Sequence, residues 1–254
     1  MPELTILMPV YNERPTVADA IRQALDADLP VTSRELIVVD DGSTDGTRGL
    51  LRDNDWGPEV RVVFHNGNRG KGAAVRTAIE HARGRWATIL DADLEYDAAD
   101  IAELLGPLAA GDGDVIFGIR GFASHSSFSF WYVMGNKAVT LVANVLFNSW
   151  LADIMTCHKA MATDVWRSLD LRSRGFEVEG EITAGVLSAG LRVFEVPITY
   201  KARGREEGKK LTAFDAARVI LMLVRQRLRK RTPASQSLNP SSASARGEPV
   251  SGAS

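Results

Sequence analysis

The stretch ELIVVDDGSTDGT, residues 35–47, contains the pattern that decides the fold. Its first half is an apolar, β-branched run that predicts a buried strand over Glu35–Asp40. The run stops at a cluster of Asp, Ser, Thr and Gly residues, and Thr44–Arg52 then shows helical spacing. A strand that leads into a polar turn and a helix is typical of an α/β sheet, whose ligands bind at the carboxyl ends of the strands.

The same alternation of strand and helix extends to both sides of this stretch. Apolar runs predict five strands, at Leu4–Val10, Glu35–Asp40, Val60–His65, Trp86–Leu90 and Asp114–Ile119. Helical spacing predicts helices at Thr16–Leu25, Thr44–Arg52, Gly72–Ala82 and Asp97–Leu108. This order predicts an α/β fold with a mostly parallel central sheet and helices on both faces.

Beyond residue 120 the pattern changes. Phe128–Leu151 is rich in Phe, Trp, Val and Leu and predicts one long amphipathic helix. Cys157–Thr163, Glu179–Ser188 and Val193–Tyr200 predict a strand, a helix and a strand that complete the domain. Thr212 and Asp215 resemble a capping box for a final amphipathic, basic helix over about 212–231. We expect one domain over residues 1–231, followed by a disordered tail, 232–254, that is rich in Ser, Ala, Pro and Gly.

The composition excludes several classes of protein. Of the 254 residues, 45% are hydrophobic and 24% are charged, which is typical of a soluble globular protein. The single Cys excludes an internal disulfide framework and a multi-cysteine zinc site. No run approaches the roughly 18 apolar residues of a membrane span, and the first ten residues do not resemble a secretory signal. We therefore expect a cytoplasmic protein.

The net charge of −2 hides a strong asymmetry along the chain. Residues 1–200 carry a net charge of −10, whereas residues 201–232 contain 11 Lys and Arg against 3 Asp and Glu. Such a basic block is consistent with contact to phosphates, with contact to an anionic membrane surface, or with a solvated helix face.

Polar clusters follow three of the predicted strands. The first strand leads into Pro9–Glu13 and the second into Asp40–Thr47, where acidic side chains can accept hydrogen bonds from a nucleobase or a ribose, or can cap the next helix. The fourth strand ends in Asp91-Ala92-Asp93-Leu94-Glu95. Three carboxylates that project to one side of an extended segment suit Mg²⁺ or Mn²⁺, and helix capping near Asp97 would explain at most one of them.

The segment Asn66–Gly72 precedes a predicted helix and resembles a phosphate-binding loop, with Lys71 inside it. It is not a Walker A motif, because His65 and Gly72 stand where that motif requires Gly and Ser or Thr. No G-x-G-x-x-G fingerprint follows the first strand. The sequence therefore disfavours a nucleotide triphosphatase and a dinucleotide-binding enzyme.

Taken together and in this order, these motifs resemble the family 2 glycosyltransferases of the GT-A fold. The resemblance is carried by Pro9–Glu13, Asp40–Thr47, Asn68–Arg76, Asp91-Ala92-Asp93 and Gly118–Arg120. The segments Asp153–Ala160, Gly175–Glu177 and Tyr200–Leu211 resemble, more narrowly, the branch that contains dolichyl- and polyprenyl-phosphate sugar synthases. Two positions depart from that branch, which often shows Tyr at His158 and Gln at Glu95. The Gln-x-x-Arg-Trp signature of processive polysaccharide synthases is absent.

The resemblance implies a metal-dependent, inverting transfer of a sugar from a GDP- or UDP-linked donor. It places the nucleotide at Pro9, Tyr11, Glu13, Asp40, Asp41, Lys71, Asp91, Ala92 and Asp93. It places Mg²⁺ or Mn²⁺ at Asp91, Asp93 and Glu95, with Asp93 as the principal ligand. The implied acceptor is a polyprenyl phosphate, and our candidates to bind it are Arg120, Lys137, Arg203, Lys209 and Lys210. If the acceptor is a hydroxyl group, Asp153 is the candidate base, although a helix or turn cap explains Asp153 equally well.

The histidines and the single cysteine are weaker candidates for catalytic or metal-binding residues. Cys157 and His158 are neighbours in a predicted strand, so their side chains should point to opposite faces, which disfavours a catalytic dyad. His65, His81 and His125 show no metal-ligand spacing, and we expect them to be ordinary surface or loop residues.

Two segments could contact a membrane. Phe128–Leu151 offers an apolar face, namely Phe130, Trp131, Val133, Met134, Leu141, Val145 and Leu146, and Arg225, Arg227, Arg229, Lys230 and Arg231 can approach anionic lipids. Packing on the core or a homo-oligomer interface would explain the apolar helix equally well. We expect no nucleic-acid partner, because residues 201–232 contain no aromatic residue beyond Phe214 for base stacking.

Overall fold

The computed structural model describes residues 1–121, 130–201 and 213–229. The strands in this part of the chain are β1 (Leu4–Val10), β2 (Arg34–Asp40), β3 (Val60–Phe64), β4 (Trp86–Ile89), β5 (Val115–Ile119), β6 (Lys159–Ala162) and β7 (Val193–Pro197). The α-helices are α1 (Val17–Asp26), α2 (Thr47–Asp53), α3 (Lys71–His81), α4 (Ile101–Ala110), α5 (Phe130–Phe147), α6 (Thr163–Ser168), α7 (Val178–Ala189) and α8 (Ala213–Leu228). A short 3₁₀ helix, Ala98–Asp100, leads into α4.

The seven strands form one sheet in the order β3-β2-β1-β4-β6-β5-β7. Strand β1 pairs in parallel with β2 and β4, and β5 pairs in parallel with β7. Strand β6 lies between β4 and β5 and runs antiparallel to both. Six strands therefore end at the same edge of the sheet, and β6 begins there. The predicted mostly parallel α/β sheet is confirmed.

The two strands β1 and β2 form the centre of the core. Leu4–Met8 and Glu35–Asp40 are buried without interruption, so both faces of the sheet are covered. Helix α3 packs on both strands, and its small side chains Ala74 and Ala78 are fully buried there. The continuous apolar runs that predicted strands thus reflect burial on two sides.

The first five predicted strands agree with the structure to within one residue at each end. Helix α2 begins at Thr47 instead of Thr44, because Asp45 accepts hydrogen bonds from the Thr47 backbone N–H and hydroxyl, at 3.0 and 2.6 Å. Gly46 then adopts a left-handed conformation with φ 99°. This local turn keeps the Ser/Thr/Asp cluster out of the helix.

Helix α5 is shorter than the predicted Phe128–Leu151 helix. It ends at Phe147, and Asn148 takes a left-handed conformation with φ 50°. The Asn144 side chain accepts the Leu151 backbone N–H and donates to the Leu151 carbonyl, both at 2.9 Å, so the chain folds back on the helix end. The prediction of one helix through Leu151 was wrong at this end, and Phe128 lies outside the described residues.

Helix α8 confirms the predicted final helix. It packs against α5 and α7 and buries Val219 and Leu223. Thr212 of the predicted capping box and the predicted tail 232–254 lie outside the described residues. In the part of the chain that the structure describes, no helix has both the length and the apolar character needed to cross a membrane.

Candidate active site

The predicted nucleotide-binding residues gather at the edge of the sheet where the parallel strands end. Pro9 lies in β1 opposite Val39, and Tyr11, just beyond the strand, is 44% exposed. Asn12 links the two first loops, because its backbone N–H donates to Ser43 Oγ and its side-chain oxygen accepts the Thr44 backbone N–H, both at 2.9 Å. The two loops therefore form one surface beside β1 and β2.

The Glu13 side chain faces the start of α1. Its carboxylate accepts a hydrogen bond from the Thr16 hydroxyl at 2.9 Å. The Glu13 carbonyl accepts the first backbone N–H of α1, that of Val17, at 2.8 Å. The structure thus shows Glu13 at a helix start, and its contact with a nucleotide stays a prediction.

Asp40 and Asp41 are buried and hold the loops at this edge. Asp40 accepts hydrogen bonds from the Ser43 backbone N–H at 3.2 Å and from Arg48 at 3.0 Å. Asp41 accepts the backbone N–H groups of Arg69 and Gly70 at 2.9 and 2.7 Å. Both carboxylates thus hold neighbouring loops in place through hydrogen bonds within the protein. Their direct contact with a nucleotide stays a prediction.

His65 is a buried neighbour of Asp41 that was not predicted from the sequence. It was expected to be an ordinary surface or loop residue; it does lie in the loop after β3, but it is only 5% exposed. Its Nδ1 lies 2.6 Å from Asp41 Oδ1 and its Nε2 lies 3.0 Å from the Thr77 hydroxyl. The signal that could have found it is its position directly after β3, whose end lies beside the end of β2. His65 supports the Asp41 carboxylate and joins it to α3.

The glycines of the predicted phosphate loop pack closely against the protein itself. A Cβ atom on Gly70 would lie 2.2 Å from the Arg174 carbonyl oxygen, and one on Gly72 would lie 2.3 Å from the Ser173 carbonyl oxygen. The Gly72 backbone N–H donates to the Arg174 carbonyl at 2.8 Å. These two glycines allow the start of α3 to approach residues 173–175, and the binding of phosphate by this loop stays a prediction.

The three carboxylates after β4 do not form the predicted three-ligand metal cluster. Asp91 accepts a hydrogen bond from Lys71 Nζ at 2.8 Å, Asp93 accepts the Glu95 backbone N–H at 3.0 Å, and Glu95 accepts the Tyr200 hydroxyl at 2.5 Å. Leu94 is left-handed, with φ 60°, so the segment is a turn and the expected alternation is lost. No group of three or more His, Cys, Asp or Glu side chains in the described ranges is placed to hold a metal.

The donor set nevertheless fits a smaller metal site. Mg²⁺ is usually held by one or two carboxylates and by the phosphate oxygens of a substrate. Asp91, whose side chain is 20% exposed, and the half-buried Asp93 are such carboxylates, whereas Ala92 between them is buried. Asp93 and Asp91 are therefore the residues that would hold Mg²⁺ or Mn²⁺ together with a diphosphate.

Lys71 connects this segment to the interior. Its Nζ lies 2.8 Å from Asp91 Oδ2 and 3.0 Å from Glu179 Oε1. Burial alone would lower the pKa of Lys71, but the charges of Asp91 and Glu179 outweigh it and raise the pKa well above its usual value. Lys71 therefore stays protonated beside the candidate donor site. The pairing with Glu179 could not be foreseen, because over 100 residues separate the two in sequence.

Arg120, directly after β5, and Asp153 form a bidentate ion pair. Arg120 Nε and Nη2 donate to the two Asp153 oxygens at 2.7 and 3.0 Å, and the guanidinium lies 5.1 Å from the centre of the Tyr200 ring. Burial alone would raise the pKa of Asp153, but the Arg120 charge and hydrogen bonds outweigh it and lower the pKa. Asp153 is thus held as a carboxylate anion.

The remaining predicted acceptor-binding residues fall into two groups. Lys137 of α5 is exposed, and its Nζ donates to the Ala152 carbonyl at 3.1 Å, directly beside Asp153. Arg203, Lys209 and Lys210 lie outside the described residues.

Cys157 and His158 precede β6 and are both buried. Burial raises the pKa of the Cys157 thiol well above its usual value. The thiol therefore stays protonated and is a poor nucleophile. Burial also lowers the pKa of His158 to about 3. Neither ring nitrogen of His158 has a hydrogen-bond partner among the described residues, and the Tyr96 ring lies 4.8 Å away. His158 is therefore a neutral, buried side chain.

Open α/β proteins bind their ligands in the crevice at the carboxyl ends of the strands, and this is the edge at which the acidic and basic side chains gather here. A family model described as "Glycosyl transferase family 2" matches residues 5–165. The chain belongs to this family and is a glycosyltransferase.

Curated relatives agree with this assignment. The chain is 29% identical to glycosyltransferase AglJ of Haloferax volcanii over 229 residues, which cover 90% of this chain and 73% of AglJ. It is 35% identical to the dodecaprenyl-phosphate galacturonate synthase of Rhizobium johnstonii over 46% of this chain and 36% of that protein. It is 25% identical to the dolichol-phosphate mannosyltransferase of Pyrococcus furiosus over 88% of this chain and 64% of that protein. The chain spans half or less of two other relatives from Haloferax volcanii, Agl6 and AglD.

Solved structures share the GT-A fold. Glucosyl-3-phosphoglycerate synthase from Mycobacterium tuberculosis, in complex with Mn²⁺, UDP and glucosyl-3-phosphoglycerate, superposes with a TM-score of 0.66 at 19% identity, over 89% of this chain and 80% of that chain. S. aureus TarS in complex with UDP-GlcNAc superposes with a TM-score of 0.59 at 15% identity, over 87% of this chain and 66% of that chain. The predicted fold class is thereby confirmed.

Proposed function

We propose that this glycosyltransferase moves a sugar from a UDP- or GDP-linked donor to a polyprenyl phosphate of the dolichyl or undecaprenyl type. The transfer inverts the anomeric carbon and uses Mg²⁺ or Mn²⁺. Two relatives are named for products or acceptors of this class, a dodecaprenyl-phosphate galacturonate synthase and a dolichol-phosphate mannosyltransferase. The observation that carries the proposal is the ion pair between Arg120 and Asp153.

That ion pair bears on the choice between a phosphate and a hydroxyl acceptor. A hydroxyl acceptor needs a base, and the candidate is Asp153. Both Asp153 oxygens accept hydrogen bonds from Arg120, Oδ1 also accepts the Met155 backbone N–H at 3.0 Å, and the pKa of Asp153 is lowered. A carboxylate held in this way is a weak base. A phosphate acceptor is already an anion and needs no base, so positioning and electrostatics suffice.

On the donor side, exposed Tyr11 and the loops after β1 and β2 would contact the nucleoside. Asp93 and Asp91 would face the diphosphate, with Lys71 as the neighbouring cation. A divalent cation, when bound there, neutralises charge on the departing nucleoside diphosphate. Arg120 and Lys137 would meet the acceptor phosphate, and Arg203, Lys209 and Lys210 stay candidates for the same task.

The test is a matrix of donors and acceptors. UDP- and GDP-linked hexoses are incubated with Mn²⁺ and either undecaprenyl phosphate, dolichyl phosphate or soluble hydroxyl acceptors, and lipid-linked product is measured. We expect product with a polyprenyl phosphate and at least one donor. Transfer to the hydroxyl acceptors alone would contradict the proposal.

The variant Asp153→Asn separates the two chemistries within the same assay. We expect a higher KM for the acceptor, because Arg120 loses the partner that orients it. A loss in kcat of about 10²-fold or more, without a change in KM, would instead identify Asp153 as a general base. Donor KM serves as the internal control and should stay unchanged.

We also propose that the enzyme meets its lipid acceptor at the inner face of the plasma membrane through helices α5 and α8. The two helices pack side by side, and Arg227 Nε donates to the Leu146 carbonyl at 2.8 Å. Large apolar side chains on and after α5 are exposed, among them Val145 at 73% and Trp150 at 91%. Exposed arginines at the end of α8 add charge that is complementary to anionic lipids.

Liposome flotation tests this attachment. The variant Arg225→Gln, Arg227→Gln, Arg229→Gln should bind anionic vesicles about 10²-fold more weakly at low salt, because each such charge contributes about 1 kcal/mol near the surface. The matched control is Arg22→Gln, Arg52→Gln, Arg61→Gln, which removes three exposed arginines from other elements. Equal flotation of both variants would contradict a role for the α8 arginines.

A further inference from the structure

Four charged side chains form a row of ion pairs in which Glu179 and Lys159 are buried and Asp91 and Lys71 are partly buried. They alternate in sign in the order Asp91, Lys71, Glu179 and Lys159. Lys71 Nζ lies 3.0 Å from Glu179 Oε1, and Lys159 Nζ donates to Glu179 Oε2 at 2.6 Å. Glu179 belongs to α7, and it joins a lysine at the start of α3 to a lysine at the start of β6.

One end of this row of ion pairs, formed by Asp91 and Lys71, lies where the proposed function puts the nucleotide-sugar donor. Asp91 follows β4, and Lys71 is its hydrogen-bond donor. The lysine ammonium sits at the end of a flexible side chain, so a second partner is needed to fix its position. Glu179, whose side chain is 3% exposed, is that partner.

The other end reaches the acceptor side. Lys159 is fully buried, and its Nζ donates to the carbonyl of Ile154 at 3.1 Å and to the carbonyl of Thr156. These carbonyls belong to the segment that directly follows Asp153, the partner of Arg120. Glu179 is therefore the one side chain in the described residues that pairs with both Lys71 and Lys159.

We propose that Glu179 is a positioning residue that fixes the Asp91–Lys71 pair relative to segment 153–156, and so sets the donor and acceptor sides at a fixed separation. This role rests on the proposed function, because it concerns the binding of a nucleoside diphosphate near Asp91. Glu179 acts through Lys71 and Lys159 and does not itself contact the reacting groups.

A charge-balanced variant tests whether Glu179 positions Lys71 or only neutralises the buried charge of Lys159. Glu179→Gln alone leaves Lys159 buried without its anionic partner, so a lower Tm is expected. Glu179→Gln with Lys159→Met removes one charge of each sign and should melt close to the wild type. Lys159→Met alone retains the pair between Glu179 and Lys71.

The first measurement is binding of UDP and of GDP, each with MnCl₂, by isothermal titration calorimetry. We expect Lys159→Met to bind with near wild-type affinity. The double variant should bind about tenfold or more weakly, because Lys71 has lost the negative charge of its ion-pair partner Glu179. Wild-type affinity in the double variant would overturn the positioning role, since neutralisation would then be the only task of Glu179.

The second measurement is hydrogen–deuterium exchange without any ligand. Lys159→Met should increase exchange in residues 153–157 alone, and the double variant should increase it in residues 90–95 as well. Unchanged exchange in 90–95 would overturn the inference. If neither UDP nor GDP binds the wild-type protein, the proposed function is contradicted, while the exchange result still decides the role of Glu179.

Glu35 provides the matched control. It is a buried glutamate in β2 that accepts hydrogen bonds from Thr5 Oγ1 at 2.7 Å and from Arg83 Nε at 2.9 Å, near the opposite edge of the sheet. Glu35→Gln should lower Tm without a change in nucleotide affinity or in exchange at residues 90–95. An equal loss of affinity in Glu35→Gln would mean that general destabilisation explains the result.

Discussion

Asp41→Asn tests whether the Asp41 carboxylate holds the loop between β3 and α3. The side chain is 3% exposed, and its two oxygens accept hydrogen bonds from His65, Arg69 and Gly70. Asparagine fills the same volume but replaces one oxygen with an NH₂ group. If that group faces Gly70, two donors oppose each other in a buried site. Rotation of the amide only moves the conflict to His65 and Arg69.

The expected loss follows from these three hydrogen bonds. A hydrogen bond to a charged group contributes about 1.5–3 kcal/mol, and one such bond is lost outright while the others become neutral. We therefore expect the free energy of unfolding to fall by about 3 kcal/mol. Since domains of this kind have about 5–15 kcal/mol of stability, the variant should still fold.

Urea denaturation measures this loss, with an unchanged m-value as the sign that only stability has changed. Asp28→Asn, at an exposed position, is the control and should lie within about 0.5 kcal/mol of the wild type. A loss of less than about 1 kcal/mol in Asp41→Asn would refute the view that this carboxylate anchors the loop.

Three further predictions follow from the site and its surroundings. Asp93→Ala should lower transfer by about 10²-fold or more while the circular dichroism spectrum is retained, because metal coordination contributes several kcal/mol of transition-state stabilisation; full activity of the variant in EDTA would contradict this. Gly72→Ala should lower stability by about 1–3 kcal/mol because its Cβ would overlap the Ser173 carbonyl, whereas Gly106→Ala, in open space on α4, should raise Tm, and equal behaviour in scanning fluorimetry would contradict the packing argument. Burial keeps the pKa of His158 near 3, against an ordinary value of 6.5, so below pH 6.5 the unfolded chain takes up a proton that the native chain refuses. This group should therefore lower the free energy of unfolding by about 1.4 kcal/mol for each pH unit by which the pH falls below 6.5, down to about pH 3. The check is urea denaturation across this pH range, in which His158→Leu should show a weaker dependence of stability on pH than the wild type.

The sequence predicted those parts of the fold that depend on local pattern. Strands β1 and β2 were found because their apolar runs are continuous, and the family was recognised because its motifs follow strand ends in a fixed order. The end of α5 was missed, because an apolar pattern continues through Trp150 while the turn is made by the hydrogen bonds of a single polar side chain, Asn144.

The parts of the site that the sequence did not predict depend on contacts between distant segments. His65 was expected to be an ordinary surface or loop residue, because its burial against Asp41 depends on the pairing of β3 with β2 and not on its own neighbours in sequence. The three-carboxylate metal cluster was expected from alternation along an extended segment. A left-handed Leu94 and the pairing of Glu95 with Tyr200 remove that alternation, and Tyr200 lies 105 positions away in the chain.

The reversed direction of β6 places both ends of the segment between β5 and β6 at one edge of the sheet. Residues 120–158 leave the sheet at the end of β5 and return to it at the start of β6, so both junctions lie at the same edge. A segment of this kind can be lengthened, shortened or replaced without a shift in the register of the flanking strands, because the distance between its two ends is fixed by their pairing. The segment that carries Lys137 and Asp153 can therefore differ in length while the pairing of β5 with β6 stays constant.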